Sequence, residues 1–527
     1  MKRLKTVVVF LLITSAAPGQ TSIDVLHYKF ELTLNNNDDT IRGCAEIKLR
    51  FVQSVPSVSL DLNLQNNMGL GMKVDRVVGS QRQLDYVAKN DRVNIILARP
   101  SNVNDSATFT ICYHGVPKDG LIISKNKYGD RTFFADNWPN RAHNWIPCQD
   151  NPTDKSTFEF IITAPSEYVV VSNGKLVGEK SLPGNNKLTH WVEDVALPTK
   201  VMVIGLAKFA VKEFADSPPN IPVSAWVFAQ DSILGFRNYS PAAGIVKFYS
   251  DYIGPYPYNK LANVQSKTIF GGMENASAIF YFEESAQQNK SIGDLLAHEI
   301  AHQWFGDMAT EKSFAHLWLS EGFATYMSDI YLQSRYGTDT LNYLLKEGRR
   351  KVIDFSEAFH RPVVDSVSPL MRLLNANSYE KGAWVLHMLR RQLGDSLFKV
   401  LIRTYYDRYK GKNAETEDFR KVAEDVSQKN MRSFFKQWLY TPDIPQLNIQ
   451  RELNEKTNEL SVTITQLQNE VFQFPLEFRI ELETQKAKMT TVQISKRMET
   501  FKFKVENKLS RFVIDPNISL LFEQVKK

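Results

Sequence analysis

The pattern of apolar and polar positions divides the chain into three textures. From Ile23 to about Phe209 the two alternate, as in His27-Tyr28-Lys29-Phe30-Glu31-Leu32-Thr33-Leu34, Ala45 to Phe51 and Phe158 to Ile162. A period of two turns one strand face to a core and the other to water. Clusters such as Asn35-Asn36-Asn37-Asp38-Asp39 and Pro183-Gly184-Asn185-Asn186 predict the turns between strands. This texture predicts a β-rich domain of packed antiparallel sheets.

After about Ala215 the spacing becomes helical. Helices are expected at Ala242 to Ile253, Ile292 to Met308, Glu321 to Tyr336, Thr338 to Phe355, Tyr379 to Leu393, Ser396 to Tyr409, Thr416 to Val426 and Met431 to Tyr440. Pro442-Asp443-Ile444-Pro445 closes that block, and alternation returns at Leu460 to Ile464 and Phe478 to Leu482, predicting a small β domain. The expected division is a leader at 1–20, a β domain at 21–212, a mixed domain at 213–445 and a second β domain at 446–527.

The leader rests on Lys2, Arg3 and Lys5, the apolar run Val7 to Ile13 and the small-residue exit Ser15-Ala16-Ala17-Pro18-Gly19-Gln20. These are the parts of a secretory signal peptide, with cleavage expected near residues 17 to 20. The run is about half of the roughly 20 apolar residues that a bilayer span needs. The expectation is an exported chain with no integral membrane span after cleavage.

Composition changes this picture little. With 527 residues the chain is too long for one core, and 43% hydrophobic with 23% charged residues is ordinary for a globular protein. A net charge of +6 without a dense Lys/Arg run predicts no nucleic-acid partner. Cys44, Cys112 and Cys148 allow at most one disulfide and leave a free thiol.

The strongest chemical signal is His298-Glu299-Ile300-Ala301-His302. Four residues is just over one helical turn, so both imidazoles leave the same face and can share a cation, with Glu299 beside them to take a proton from water. A catalytic zinc site wants three protein ligands and one open position. Glu321, separated from His302 by eighteen residues and at the start of the next helical segment, is the expected third ligand.

These residues also carry a resemblance. Gly271-Gly272-Met273-Glu274-Asn275, then His298 to Gly306, then Leu317-Trp318-Leu319-Ser320-Glu321-Gly322-Phe323-Ala324 resemble, in order and spacing, the zinc aminopeptidases of the gluzincin group. That is the family of aminopeptidase N and the leukotriene epoxide hydrolase. Tyr379-Glu380-Lys381-Gly382-Ala383 resembles its catalytic-tyrosine segment, and Trp145 to Pro152 its N-domain signature. The resemblance implies a multidomain α+β fold: an N-terminal β-sandwich or saddle, a thermolysin-like α+β catalytic domain and a small C-terminal β-sandwich. It implies one Zn2+ per chain on His298, His302 and Glu321, with Glu299 as general base and Tyr379 as oxyanion donor. Glu274 would hold the α-ammonium of a peptide with a free N-terminus. Gly271, Gly272, Met273 and Asn275 would line the substrate's path.

Two departures stand out. Gly272 replaces the alanine common in the family. The family's second amine-binding residue, a Glu or Gln, falls within Phe134 to Asn140, where a direct register gives Trp138 and a two-residue insertion gives Asp136. Asp136 is preferred, because an ammonium wants a carboxylate partner. Without the large helical domain of longer members, a more open cleft is expected. Rival readings are a zinc endopeptidase, an epoxide hydrolase of the same family and a non-catalytic binding protein.

Overall fold

The computed structural model describes residues 22–80, 82–483, 487–505 and 509–526, so the expected leader lies outside the described residues. The first texture forms long strands: β1 (Ile23–Thr33), β2 (Ile41–Phe51), β3 (Gly71–Gly79), β4 (Ser106–Val116), β5 (Ser156–Pro165), β6 (Lys175–Leu182) and β7 (Asn186–Leu197). They make one sheet in the order β6-β7-β5-β1-β2-β4-β3, with Arg82–Gln83 at its edge. The sheet is mixed where an antiparallel one was expected, because β1 runs parallel to β5. Parallel pairing needs a long connection, which the chain between these strands supplies. Antiparallel pairing of β2 with β4 sets Cys44 opposite Cys112, and these two form the disulfide. Cys148 is left as a buried thiol.

The central domain opens with a five-stranded sheet of β8 (Phe209–Glu213), β9 (Val223–Phe228), β10 (Leu261–Gln265), β11 (Gly272–Met273) and β12 (Ala278–Tyr281). Its order is β8-β9-β10-β12-β11, so the short β11 lies at an edge, antiparallel to β12. The longer helices around the site are α1 (Pro241–Tyr252), α2 (Gly293–His302), α3 (Trp318–Tyr336), α4 (Thr338–Phe359), α5 (Gly382–Leu393) and α6 (Asp395–Tyr409), with Ser232–Tyr239, Thr416–Ser427 and Arg432–Phe435 also helical. α2 packs along α3, and α3 along α5.

Several helix limits differ from those expected, and two of them shape the site. α2 stops at His302, because the chain turns back through Gly306 at φ 117°, in the left-handed region. A Cβ there would lie 2.2 Å from Ser320 Oγ, so the glycine also lets this turn run against the start of α3. Tyr379 does not open α5 but sits in a single wide π-turn, Asn377–Lys381, directly before it.

The last domain pairs two sheets, one holding Gln446–Asn454, Glu459–Gln466 and Met498–Lys504, the other Phe474–Leu482, Lys488–Ile494 and Leu509–Ile514. Phe478 of one meets Phe503 of the other with ring centroids 6.3 Å apart, so the sheets face each other.

Polar groups tie the domains together. Lys200 Nζ lies 2.5 Å from Glu311 Oε1, with the two side chains 1% and 0% exposed. Lys155 Nζ donates to the carbonyls of Asp307, Met308 and Lys412. On the other side, Arg349 bonds Asp515 at 2.7 Å, and His387 Nε2 donates to Ile518 O at 2.9 Å. Among the described residues no helix is long and apolar enough to cross a membrane.

Candidate active site

The helical period places His298 and His302 on one face of α2, and the packing of α3 brings Glu321 across from them. Glu321 Oε2 lies 3.3 Å from His298 Nε2 and 3.2 Å from His302 Nε2, and the two ring nitrogens are 3.1 Å apart. A tetrahedral ion with bonds of about 2.0–2.2 Å would hold its ligand atoms about 3.3–3.6 Å apart, close to the spacing found, so this donor set suits zinc. His302 Nδ1 donates to Phe305 O at 3.1 Å and has Ser320 Oγ at 3.0 Å. That bond fixes the tautomer and leaves Nε2 bare for a metal.

Charge is concentrated here. Burial pushes the Glu299 carboxyl well above its usual range, opposed by His302 and reinforced by Glu274 and Glu321. Burial also works against ionised Glu321, yet His302 and His298 hold it far below the ordinary carboxylate range. Glu274, Glu299 and His302 offer ligand atoms within 4.8 Å of one another. Glu274, the expected amine anchor, and the expected ligand triad therefore share one cleft.

The cleft encloses about 260 Å³. Gly271, Gly272, Met273, Glu274, Glu299 and Tyr379 line it with His298, His302 and Glu321, and Trp138, Phe270, Leu295 and Leu374 add an apolar wall. Tyr379 neighbours Glu321, and its ring lies 5.8 Å from that of His298 at an interplanar angle of 21°. Burial and the neighbouring Glu321 push its phenol well above the usual value, so it remains a donor. Gly272 is where the Glu299 carboxylate rests: a Cβ there would lie 2.3 Å from Glu299 Oε1.

Two expected residues are elsewhere. Asp136 is fully buried and faces away from the cleft; Oδ1 accepts from Arg141 Nη2 at 2.7 Å, and Oδ2 from Thr268 Oγ1 and Ile269 N. The structure thus corrects its assignment to the substrate. Its carboxylate is already neutralised by a guanidinium, and Trp138 holds the cleft-facing position. Asn275 is also fully buried, and its amide has no hydrogen-bond partner among the described residues. Sequence reasoning missed Ser320 and Gln303, each next to a ligand. Adjacency to Glu321 and His302 was the only signal.

Two family models match in chain order: the Peptidase M1 N-terminal domain over residues 25–201 and the Peptidase family M1 domain over residues 238–438. "Aminopeptidase M1-C" of Oryza sativa subsp. japonica is 30% identical over 325 residues, 58% of this chain and 37% of its own. "Aminopeptidase A" of Gloydius brevicauda is 27% identical, covering 84% of this chain and 48% of its own. The chain thus spans less than half the length of these relatives. Among solved structures, an M1 zinc metallopeptidase from Deinococcus radiodurans matches with a TM-score of 0.69 at 22% identity, over 80% of this chain and 95% of its own. Legionella pneumophila aminopeptidase A matches with a TM-score of 0.82 at 17% identity, over 97% and 60%. With the fold, the ligand triad and both domain models in agreement, the chain belongs to peptidase family M1.

Proposed function

We propose that this chain is an exported zinc-dependent aminopeptidase that removes single residues from the free N-termini of peptides, using one zinc ion per chain. The observation that carries the reading is Glu274 in the same cleft as His298, His302 and Glu321. A carboxylate fixed beside the ligand triad selects a substrate by its α-ammonium and measures one residue to the scissile bond. An endopeptidase has no use for it. Export rests on the basic, apolar and small-residue segments of residues 2–20.

Gly271 and Gly272, on the free side of edge strand β11, let a peptide backbone lie alongside as an added strand. Glu274 binds its ammonium. His298, His302 and Glu321 would hold the zinc, which when bound would supply Lewis-acid polarisation of the carbonyl and a water pKa lowered from about 15.7 toward 7. Glu299 takes the proton of the attacking water and returns it to the departing amine, so an amino acid and a shortened peptide leave. Tyr379 donates a hydrogen bond to the oxyanion as its charge develops.

Two measurements test this reading. Glu299→Gln should keep its zinc and lose about 10²–10⁴-fold in turnover of aminoacyl-anilides. Acetylating the α-amine of a peptide should abolish its cleavage. Wild-type turnover in the variant, or internal cuts in the acetylated peptide, would overturn the proposal.

A further inference from the structure

Gln303 follows the zinc ligand His302 and is fully buried. Its amide uses every hydrogen-bonding position it has. Nε2 donates to Glu274 O at 2.8 Å and to Asp307 Oδ2 at 3.0 Å. Oε1 accepts from Ser277 N at 2.7 Å and, at 3.3 Å, shares the Tyr256 hydroxyl that also donates to Lys260 O at 3.0 Å. An amide has two donor hydrogens and two lone pairs, so this one can neither flip nor be shared further. Two of its four partners are main-chain groups on either side of Asn275, and Ser277 holds the left-handed φ of 60°. A non-glycine residue keeps such a conformation only where its surroundings impose it.

We infer that Gln303 is a positioning residue that locks the Glu274–Ser277 loop to the end of the zinc helix and thereby sets the spacing between the amine anchor and the metal. The spacing matters because both ends of one amino acid must be engaged at once, and a shift of about 1 Å can cost about a hundredfold. This rests on the aminopeptidase reading, but concerns a residue that touches neither substrate nor metal.

The test compares two chelating probes on the zinc-loaded protein by calorimetry: leucine hydroxamate and its counterpart lacking the α-amine. Both can grip the metal, and only the first can reach Glu274. Wild type should bind the amine-bearing probe at least about tenfold more tightly, one charge-assisted contact's worth. In Gln303→Leu that preference should fall toward onefold, with affinity for the amine-free probe and zinc content unchanged. Gln303→Glu preserves size and the acceptor for Ser277 N–H but loses both donors; it should also lose the preference, and it serves if the leucine variant does not fold. An undiminished preference in the folded variants, or an equal loss for both probes, would overturn the inference. A wild-type preference near onefold would instead sink the aminopeptidase reading beneath it.

Discussion

Gly272 has no side chain, and Glu299 takes the space one would fill, with Cγ, Cδ and Oε1 all within 2.6 Å of where a Cβ would sit. Gly272→Ala should therefore push Glu299, the proposed general base, out of place. Turnover should drop about ten- to a hundredfold, with zinc content and melting temperature near wild type. Unchanged kcat would show that Glu299 has a second usable pose. At this scale the convergence of His298 and His302 was legible because spacing on a helix dictates direction. Asp136 was not, since its fate depends on Arg141, Thr268 and Ile269, which no local period brings together. Gln303 was equally hidden: its value lies in four partners drawn from a loop, a turn and a distant tyrosine.

Helix α3, which carries Glu321, crosses α5 at two glycines. A Cβ on Gly322 would lie 2.8 Å from Gly382 Cα, backbone against backbone, with no flexible side chain to give way. Gly322→Ala should separate the helices at a cost of about 1–3 kcal/mol. Because Glu321 is the neighbouring residue, zinc affinity should weaken about tenfold or more, as when the support of a metal ligand is lost. Thermal melting and competitive zinc titration check both effects; a variant with normal values in both would mean that the helices slide without moving Glu321. Helix existence was readable from apolar spacing. The end of α2 and the wide turn around Tyr379 were not, because close approach of other elements decides them.

In the whole molecule, His387 of α5 joins the central domain to the last one. Nδ1 accepts from Tyr326 OH at 2.9 Å, Nε2 donates to Ile518 O, and the ring is buried. Burial pushes its pKa down to about 3, with Arg390, Arg391 and Arg349 adding to the effect. An unfolded histidine titrates near 6.5, so between the two values only the unfolded chain binds this proton. Its contribution to stability is complete above about pH 6.5 and shrinks as the pH falls toward 3. The stability gap between wild type and His387→Gln, measured by denaturant unfolding, should narrow from pH 7 to pH 5. A constant gap would mean that the native ring also takes up the proton. The three textures of the sequence correspond to three regions of the fold, but the parallel pairing of β1 with β5 and the partner of Cys44 follow only from long-range register.

The lysine at position 200 reaches from the first domain to neutralise Glu311 in the next, where neither side chain meets water. A fragment truncated to begin at residue 213 would keep the acid, lose the lysine that neutralises it and lay open to water a surface built to be covered. The zinc-binding half is therefore a poor candidate for expression by itself, and a chimera with a borrowed amino-terminal half must bring a cation to the same place.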